Sequence, residues 1–324
     1  MSKAIRIHAT GGVECLRWED LPVGDPAPGQ VRIAHSAVGL NYIDVYQRTG
    51  LYPVGELPQT LGMEAAGVVE AVGEGVQALS PGDRVAYASC LGAYAEKRLI
   101  DAQLLVKLPD RIDDRTAAAM MLRGMTARYL LKESYRVQAG DFILIMAAAG
   151  GVGLILSQWA KRLGAVVIGC VGTDTKAALA RENGCDYTIN YREESVAARV
   201  REITTGAGVA VSYDSVGKAT LEASLDSLRP TGMLISFGNA SGAITDFNLG
   251  LLAQKGSLYI QRPTLGTYIR SRALLERAAD DLFEVVGSGG VKVHIGQSYP
   301  LAEVGQAHQD LEARRTTGST ILMP

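Results

Sequence analysis

The stretch Phe142–Lys176, FILIMAAAGGVGLILSQWAKRLGAVVIGCVGTDTK, decides the fold. Phe142–Ala147 is a short apolar run, as expected of a strand buried on both faces. A glycine turn follows at Ala148-Ala149-Gly150-Gly151-Val152-Gly153. Val152, Ile155, Leu156, Trp159, Ala160 and Leu163 then recur at the spacing of one helical face. Gly164 stands where a helix ends, and Ala165–Val171 is a second apolar run. The spacing predicts strand, turn, helix and strand, a βαβ unit with a dinucleotide fingerprint in its first turn.

A pyrophosphate is doubly charged and needs donors without bulk. Gly150 lets the backbone approach it, Gly153 lets the helix pack on the strand, and Gly151 and Val152 open the helix whose N-terminus attracts anions. The first glycine of the fingerprint is replaced by Ala148. The second strand ends in Cys170-Val171-Gly172-Thr173, with no acid at the place where an NAD site holds its ribose hydroxyl. Gly172 and Thr173 leave room for a 2′-phosphate and Lys176 supplies charge, so the expected cofactor is NADPH. Asp174 argues the other way unless it turns aside to cap the helix.

Working outward, residues 1 to about 124 carry short strands split by glycine and proline: Ala4–His8, Gln30–Val38, Ala66–Val72, Arg84–Ala88 and Ala93–Leu99. They predict a mostly β domain, barrel or sandwich. Ala117–Leu131 reads as a helix leading into the nucleotide domain. Beyond Lys176 the rhythm continues with strands at Tyr187–Asn190, Val209–Asp214, Met233–Phe237 and Ser257–Ile260, separated by helices at 174–183, 193–204 and 219–228. Together these make an α/β doubly wound parallel sheet of roughly five or six strands. Residues 264–324 hold a helix at Ser271–Val286 and are expected to return to the first domain. The expected domains are therefore 1–124 with 264–324, and 125–263.

The 324 residues carry 32 basic and 34 acidic side chains, with no charged block, which speaks against nucleic acid and anionic membrane surfaces. No run approaches the ~18 apolar residues of a membrane span. The N-terminus has no apolar signal core, and Cys15, Cys90, Cys170 and Cys185 are scattered, so a cytoplasmic protein with reduced thiols is expected.

The turn AAAGGVGLILSQWAKRLGA, INYREE (Ile189–Glu194), YDSVG (Tyr213–Gly217), SFGNASG (Ser236–Gly242), GLNYIDVYQRTGLYP (Gly39–Pro53) and LGMEAAGVVEAVGEGV (Leu61–Val76) resemble NADPH-dependent quinone oxidoreductases. These are the zeta-crystallin-like, zinc-free branch of the medium-chain dehydrogenase/reductase superfamily. The resemblance runs nearly end to end and implies a GroES-like catalytic domain beside a Rossmann domain, with a quinone reduced in an interdomain cleft. It also implies a homodimer, and KGSLYIQR (Lys255–Arg262) reads as the edge strand that would pair across the twofold axis.

Zinc alcohol dehydrogenases of the superfamily have Cys where this chain has Asn41, and His-Glu where it has Met63-Glu64. A carboxamide and a thioether cannot replace a thiolate and an imidazole on zinc, so no metal is expected. A quinone is electrophilic enough to accept hydride without a Lewis acid.

Asn41 is placed at the former metal-ligand position as a hydrogen bonder to a quinone carbonyl or to the carboxamide, with loop capping as the alternative. Tyr46 and Tyr52 are placed against a flat acceptor ring, Tyr42 and Asp44 beside the cofactor. Glu64 is expected to order the loop. On the cofactor side the resemblance implies Thr126, Tyr191, Arg262 and Arg314, with Arg315 an alternative register for the last. Ser215, Phe237, Gly238 and Asn239 lie at or past strand ends, where open α/β sheets bind ligands. No acid–base dyad stands out, which fits chemistry carried by the cofactor. Two other readings share the scaffold: an enone or alkenal reductase, and an NADPH-binding protein with a crystallin-like or RNA-binding role.

Overall fold

The computed structural model describes residues 2–324. The chain divides into two compact units. One comprises the chain up to Met125 with Ile269–Gly287 and Val293–Pro324; the other comprises Thr126–Tyr268 with Ser288–Lys292.

In the first unit, β1 (Ser2–Ile7) lies between β2 (Arg17–Leu21) and a short β4 (Gln59–Thr60). The long β3 (Gln30–Leu40) pairs antiparallel with β5 (Glu64–Val72) and with β7 (Lys97–Asp101), and β6 (Arg84–Ala88) links β5 to β8 (Val106–Lys107). Alternate residues of β3, such as Val31 and Ile33, point into a core shared with Leu61, Val69, Tyr87 and Tyr94. The segment Ala93–Leu99 is not one strand. Gly92 has φ +107, Tyr94 turns inward over Gly62, and only a single bridge from Ala95 to Ala4 precedes β7. Between β3 and β4 lies α1 (Tyr42–Thr49), a helix within the segment that the sequence reading treated as loop. The helix α2 (Asp114–Tyr129) begins three residues earlier than its apolar pattern, because Asp113 accepts Thr116 N–H at 2.9 Å, and it ends in a π-helical turn, Leu130–Ser134.

The second unit opens with β9 (Phe142–Met146), α3 (Gly151–Arg162), β10 (Val166–Val171), α4 (Asp174–Glu182) and β11 (Tyr187–Asn190). It continues through α5 (Val196–Ile203), β12 (Val209–Asp214), α6 (Leu221–Asp226), β13 (Leu228–Ser236), α7 (Gly250–Gln254), β14 (Tyr259–Gln261) and α8 (Leu265–Tyr268). The six strands are parallel, in the order β11-β10-β9-β12-β13-β14, so the order reverses between β9 and β12. That reversal opens a crevice beyond the C-terminal ends of the strands, the ligand site of doubly wound sheets. Segment Ser288–Lys292 belongs here because Gln158 and the Lys292 backbone exchange two hydrogen bonds of 2.8 and 2.9 Å.

The chain then returns to the first unit. Helix α9 (Arg272–Gly287) is followed by β15 (Ile295–Pro300), α10 (Val304–Glu312) and β16 (Ser319–Met323). Strand β16 pairs with β3 on one side and β15 on the other, completing a sheet of seven strands. No helix among the described residues is long and apolar enough to cross a membrane.

Candidate active site

In the second unit, the turn between β9 and α3 is built from close approaches. A Cβ on Gly153 would stand 2.5 Å from Ala147 O and 2.6 Å from Ala148 O, so the helix lies directly on the strand end. Ala147 holds φ +56, a left-handed conformation that a non-glycine residue adopts only under local constraint. Ala148, standing in for a fingerprint glycine, is accommodated from the neighbouring strand. Its methyl faces Gly169 of β10, where an added Cβ would come within 2.8 Å of it. Gly150 caps α3 without any side-chain hydrogen bond. The first N–H groups of that helix, at Gly151, Val152 and Gly153, have no acceptor one turn back and form an anion cradle.

One strand over, a Cβ on Gly172 would meet the Tyr191 hydroxyl at 2.5 Å, so the tyrosine lies against the glycine. Thr173 caps α4, its Oγ1 accepting Lys176 N–H at 3.3 Å. Asp174 is therefore not the cap. It is the first residue of the helix, and its Oδ1 accepts from Asn190 Nδ2 at 3.4 Å. Across the crevice, Gly238 approaches Ser215 so closely that a Cβ would stand 2.2 Å from its carbonyl oxygen. Phe237 N–H donates to Asp214 O at 2.8 Å. Arg262 gives Nη1 to Ser236 O and Gly238 O at 2.9 and 3.0 Å. Asn239 closes the turn, its carbonyl accepting Gly242 N–H.

Sequence reasoning missed the residue that organises this loop. Asp214 is buried and accepts Val216 N–H, Gly217 N–H, Thr220 Oγ1 and Ser224 Oγ, all at 2.7 to 3.0 Å. An aspartate closing a buried strand, two residues before a Val-Gly turn, was the available signal. Thr126 is buried near the C-terminal end of α2, hydrogen-bonded to Tyr129.

In the first unit the predicted residues gather on α1. Asn41 N–H donates to Asp44 Oδ2 at 2.8 Å while Asn41 O accepts Asp44 N–H at 3.0 Å, so the pair caps the helix reciprocally. Asn41 thus stands at the N-cap, and its Nδ2 donates to Glu64 Oε2 at 2.7 Å. Asp44, expected beside the cofactor, is buried at the third position of this helix. Its carboxyl has no exposed surface and accepts from Asn41 N–H and Tyr94 Oη, so it frames the helix start from inside. Glu64 orders the region, as expected. It accepts Asn41 Nδ2, Arg123 Nη1 at 3.1 Å and Leu122 N–H at 2.8 Å, and the Arg123 guanidinium also reaches Leu40 O. Arg123 was not anticipated.

Three tyrosines form a wall. The Tyr42 and Tyr46 rings are 5.4 Å apart, and those of Tyr46 and Tyr52 are 5.1 Å apart and edge-on. Burial raises the Tyr42 hydroxyl above its ordinary value, with Glu312 adding to it and Arg314 and Arg48 opposing it. Arg314, which opposes the rise at Tyr42, adopts φ +59 just past α10, and Arg315 is salt-bridged to Asp310. No group of three or more His, Cys, Asp or Glu side chains among the described residues could hold a metal ion. Asn41 Nδ2 donates to Glu64 Oε2, and Met63 Sδ accepts from Gln47 Nε2 at 3.3 Å.

Buried titrating groups behind the wall give a testable pH dependence. Burial holds His35 down at about 4 and His308 at about 3, and pushes Asp44 up to about 7. The imidazoles contribute stability that is present above their ordinary value of 6.5 and lost as pH falls through 4 and then 3. Asp44 has the opposite sign: its contribution is present below 3.8 and lost as pH rises through 7. Each imidazole loses about 1.4 kcal/mol of its contribution per pH unit on acidification from 6.5 towards 4, whereas Asp44 and Glu64, both raised by burial, act in the opposite direction. Urea unfolding of the wild type and of His308→Leu at about pH 6.5 and pH 5 isolates one imidazole: the wild type should lose more stability than the variant between the two values, and an equal change in both contradicts it.

Comparison with known proteins follows this geometry. Residues 27–110 match the family model described as alcohol dehydrogenase GroES-like domain, and residues 151–284 that described as zinc-binding dehydrogenase. The chain is 52% identical to a quinone oxidoreductase of Pseudomonas aeruginosa over the full length of both. It is 45% identical to a 2-haloacrylate reductase of a Burkholderia species, over all of this chain and 99% of that one. The crystal structure of Escherichia coli quinone oxidoreductase complexed with NADPH superposes with a TM-score of 0.97 at 48% identity, covering 99% of this chain and all of the other.

Proposed function

Because the chain belongs to the quinone oxidoreductase family of the medium-chain dehydrogenase/reductase superfamily, we propose that it passes reducing equivalents from NADPH to a quinone without a metal. The observation that carries this reading is the tyrosine wall formed by α1 and the turn that follows it. Rings of Tyr42, Tyr46 and Tyr52 spaced 5.1 and 5.4 Å apart suit a flat conjugated acceptor, and their hydroxyls can donate to its carbonyl oxygens.

The second unit fits the cofactor. The uncapped start of α3 takes the pyrophosphate, with Gly150 and Gly153 clearing the way. Lys176 and Tyr191 beside the side-chain-free Gly172 take the 2′-phosphate. Ser215, Phe237, Gly238, Asn239, Arg262 and Thr126 are assigned to the nicotinamide half, and Arg314 is assigned to the cofactor. When bound, NADPH supplies the hydride equivalent. The chain's part is to bind, orient and dehydrate, and the reduced acceptor collects its proton from water. The four cysteines are free, in keeping with a cytoplasmic setting.

One observation favours a second reading. The likeness to a 2-haloacrylate reductase extends over the whole chain, and an acrylate is a polarised C=C rather than a quinone. Anaerobic stopped-flow oxidation of NADPH and NADH, with 1,4-benzoquinone and then an enone or haloacrylate, separates the two. Fast NADPH oxidation by the quinone alone is the expected result; turnover by the C=C acceptor alone transfers the assignment.

We further propose a homodimer formed through β14. Tyr259 and Ile260 are 58% and 36% exposed, and the strand pairs only with β13, leaving an unpaired edge. Tyr259→Pro should elute as a monomer from a sizing column. A dimer peak unchanged from wild type would sink this assembly.

A further inference from the structure

Asp44 Oδ1 and Arg48 Nε and Nη1 on α1, and His308 Nδ1 on α10, are buried, and none of them finds a hydrogen-bond partner among the described residues; Tyr94 Oη joins Asp44 to His308, and the Arg48 charge acts on His308. The atoms beside them are committed. Arg48 gives Nη2 to Glu312 Oε1 at 2.8 Å. Asp44 Oδ2 accepts Asn41 N–H and Tyr94 Oη, each at 2.8 Å. A tyrosine hydroxyl has one hydrogen, and Tyr94 spends it on Asp44. Its oxygen, 3.1 Å from His308 Nε2, must therefore accept, which places the imidazole proton on Nε2 and leaves Nδ1 a bare acceptor. Gln47 Oε1 is also unpartnered, but Gln47 turns its amide nitrogen to Met63 and is not needed for the count.

The remainder is three N–H groups on two nitrogens of a buried guanidinium, and two acceptors, one of them a carboxyl oxygen. Asp44 and Arg48 are one helical turn apart, so direct pairing would be easy, yet neither orphaned atom is used for it. Leaving charged groups unsatisfied in the interior is expensive. Water both accepts and donates, and a site with three or four polar partners is the kind that holds one.

We propose that an internal water lies among Arg48, Asp44 and His308, accepting from the guanidinium and donating to Asp44 Oδ1 and His308 Nδ1. Through it α10 holds α1, and α1 carries Tyr42 and Tyr46 and starts at Asn41. Arg48 and His308 are then positioning residues: they set the tyrosine wall without touching a substrate. The hydration site stands by itself, whereas its kinetic consequence rests on the quinone reading above.

A high-resolution crystal structure of the intact protein decides the water. The expected result is a well-ordered water within hydrogen-bond distance of the Arg48 guanidinium, Asp44 Oδ1 and His308 Nδ1. A direct bond from Arg48 to Asp44 or to His308, with no water, overturns the proposal. Crystals of His308→Leu and His308→Gln decide the positioning: Asn41 and Tyr46 should shift in the first and return in the second, whose amide can restore the bonds, while an unmoved α1 in both overturns it. If the wild type reduces quinones, KM for benzoquinone should rise several-fold in His308→Leu and recover in His308→Gln, with NADPH affinity held within about twofold. A wild type that turns over no quinone defeats the functional reading alone, since the crystallographic results still decide this one.

Discussion

Glu64→Ala should destabilise the first unit by about 3–5 kcal/mol, the range for removing one partner of a buried ion pair. Glu64 is 0% and the Arg123 side chain 6% exposed, 3.1 Å apart. Truncation leaves the guanidinium buried with only the carbonyls of Leu40 and Ala119 as acceptors, and it also strands Leu122 N–H and Asn41 Nδ2. At a few degrees per kcal/mol, the melting temperature should fall by roughly 10 °C. Burial raises the Glu64 carboxyl above its ordinary value, with Arg123 the largest opposing influence. Glu64→Gln tests the balance, since it keeps the shape and removes the charge. A cost well below that of alanine but still of about 1–3 kcal/mol identifies an ionised partner. A neutral Glu64→Gln would mean that the carboxyl is already protonated and the pair is not ionic. The double change Glu64→Gln with Arg123→Met should recover part of the loss, because no buried cation then remains. Differential scanning calorimetry on the four proteins reads all of these.

The same pair shows where the sequence was legible and where it was not. The β9-turn-α3-β10 unit could be read because its information is local: a buried run, a glycine turn and a helical period fall within 35 residues. Glycines carry the same advantage, since the need for a missing side chain is a property of one position. Gly153 and Gly172 could therefore be assigned, and the structure shows what each makes room for. Glu64 could be seen to matter, but its partner lies 59 residues away on another element, and no spacing rule connects β5 to α2. Asp214 serves four donors that only the folded loop brings together. Helix α1 was missed for a different reason. Its N-x-x-D start is a capping pattern, but in a segment of eight residues rich in tyrosine the chemistry of the side chains drew attention from their periodicity. Asp44 was read without that helix, whose third position folds its carboxyl back on the Asn41 backbone.

Gly153→Val should weaken NADPH binding by at least about 100-fold, near 3 kcal/mol, and should destabilise the second unit as well. The substituted Cβ would be within 2.5 to 2.7 Å of Ala147 O, Ala148 O and Ala148 C, all backbone atoms that cannot swing aside. The start of α3 has to lift from β9, and the N–H groups at its tip move with it. Gly150→Ala separates the two effects. A Cβ there meets only Ala147 O, at 3.2 Å, so the fold should tolerate it with a cost below about 1 kcal/mol. Its methyl would instead stand where the backbone must come close to a pyrophosphate, so affinity should still fall, by about tenfold or more. Fluorescence titration with NADPH, paired with thermal melts in its absence, distinguishes the cases. Loss of affinity with unchanged melting in Gly150→Ala, beside loss of both in Gly153→Val, is the signature of a turn in which one glycine serves the ligand and the other the packing. Undiminished NADPH affinity in both variants would mean that the dinucleotide does not bind at this turn, and the cofactor assignment would fall with it.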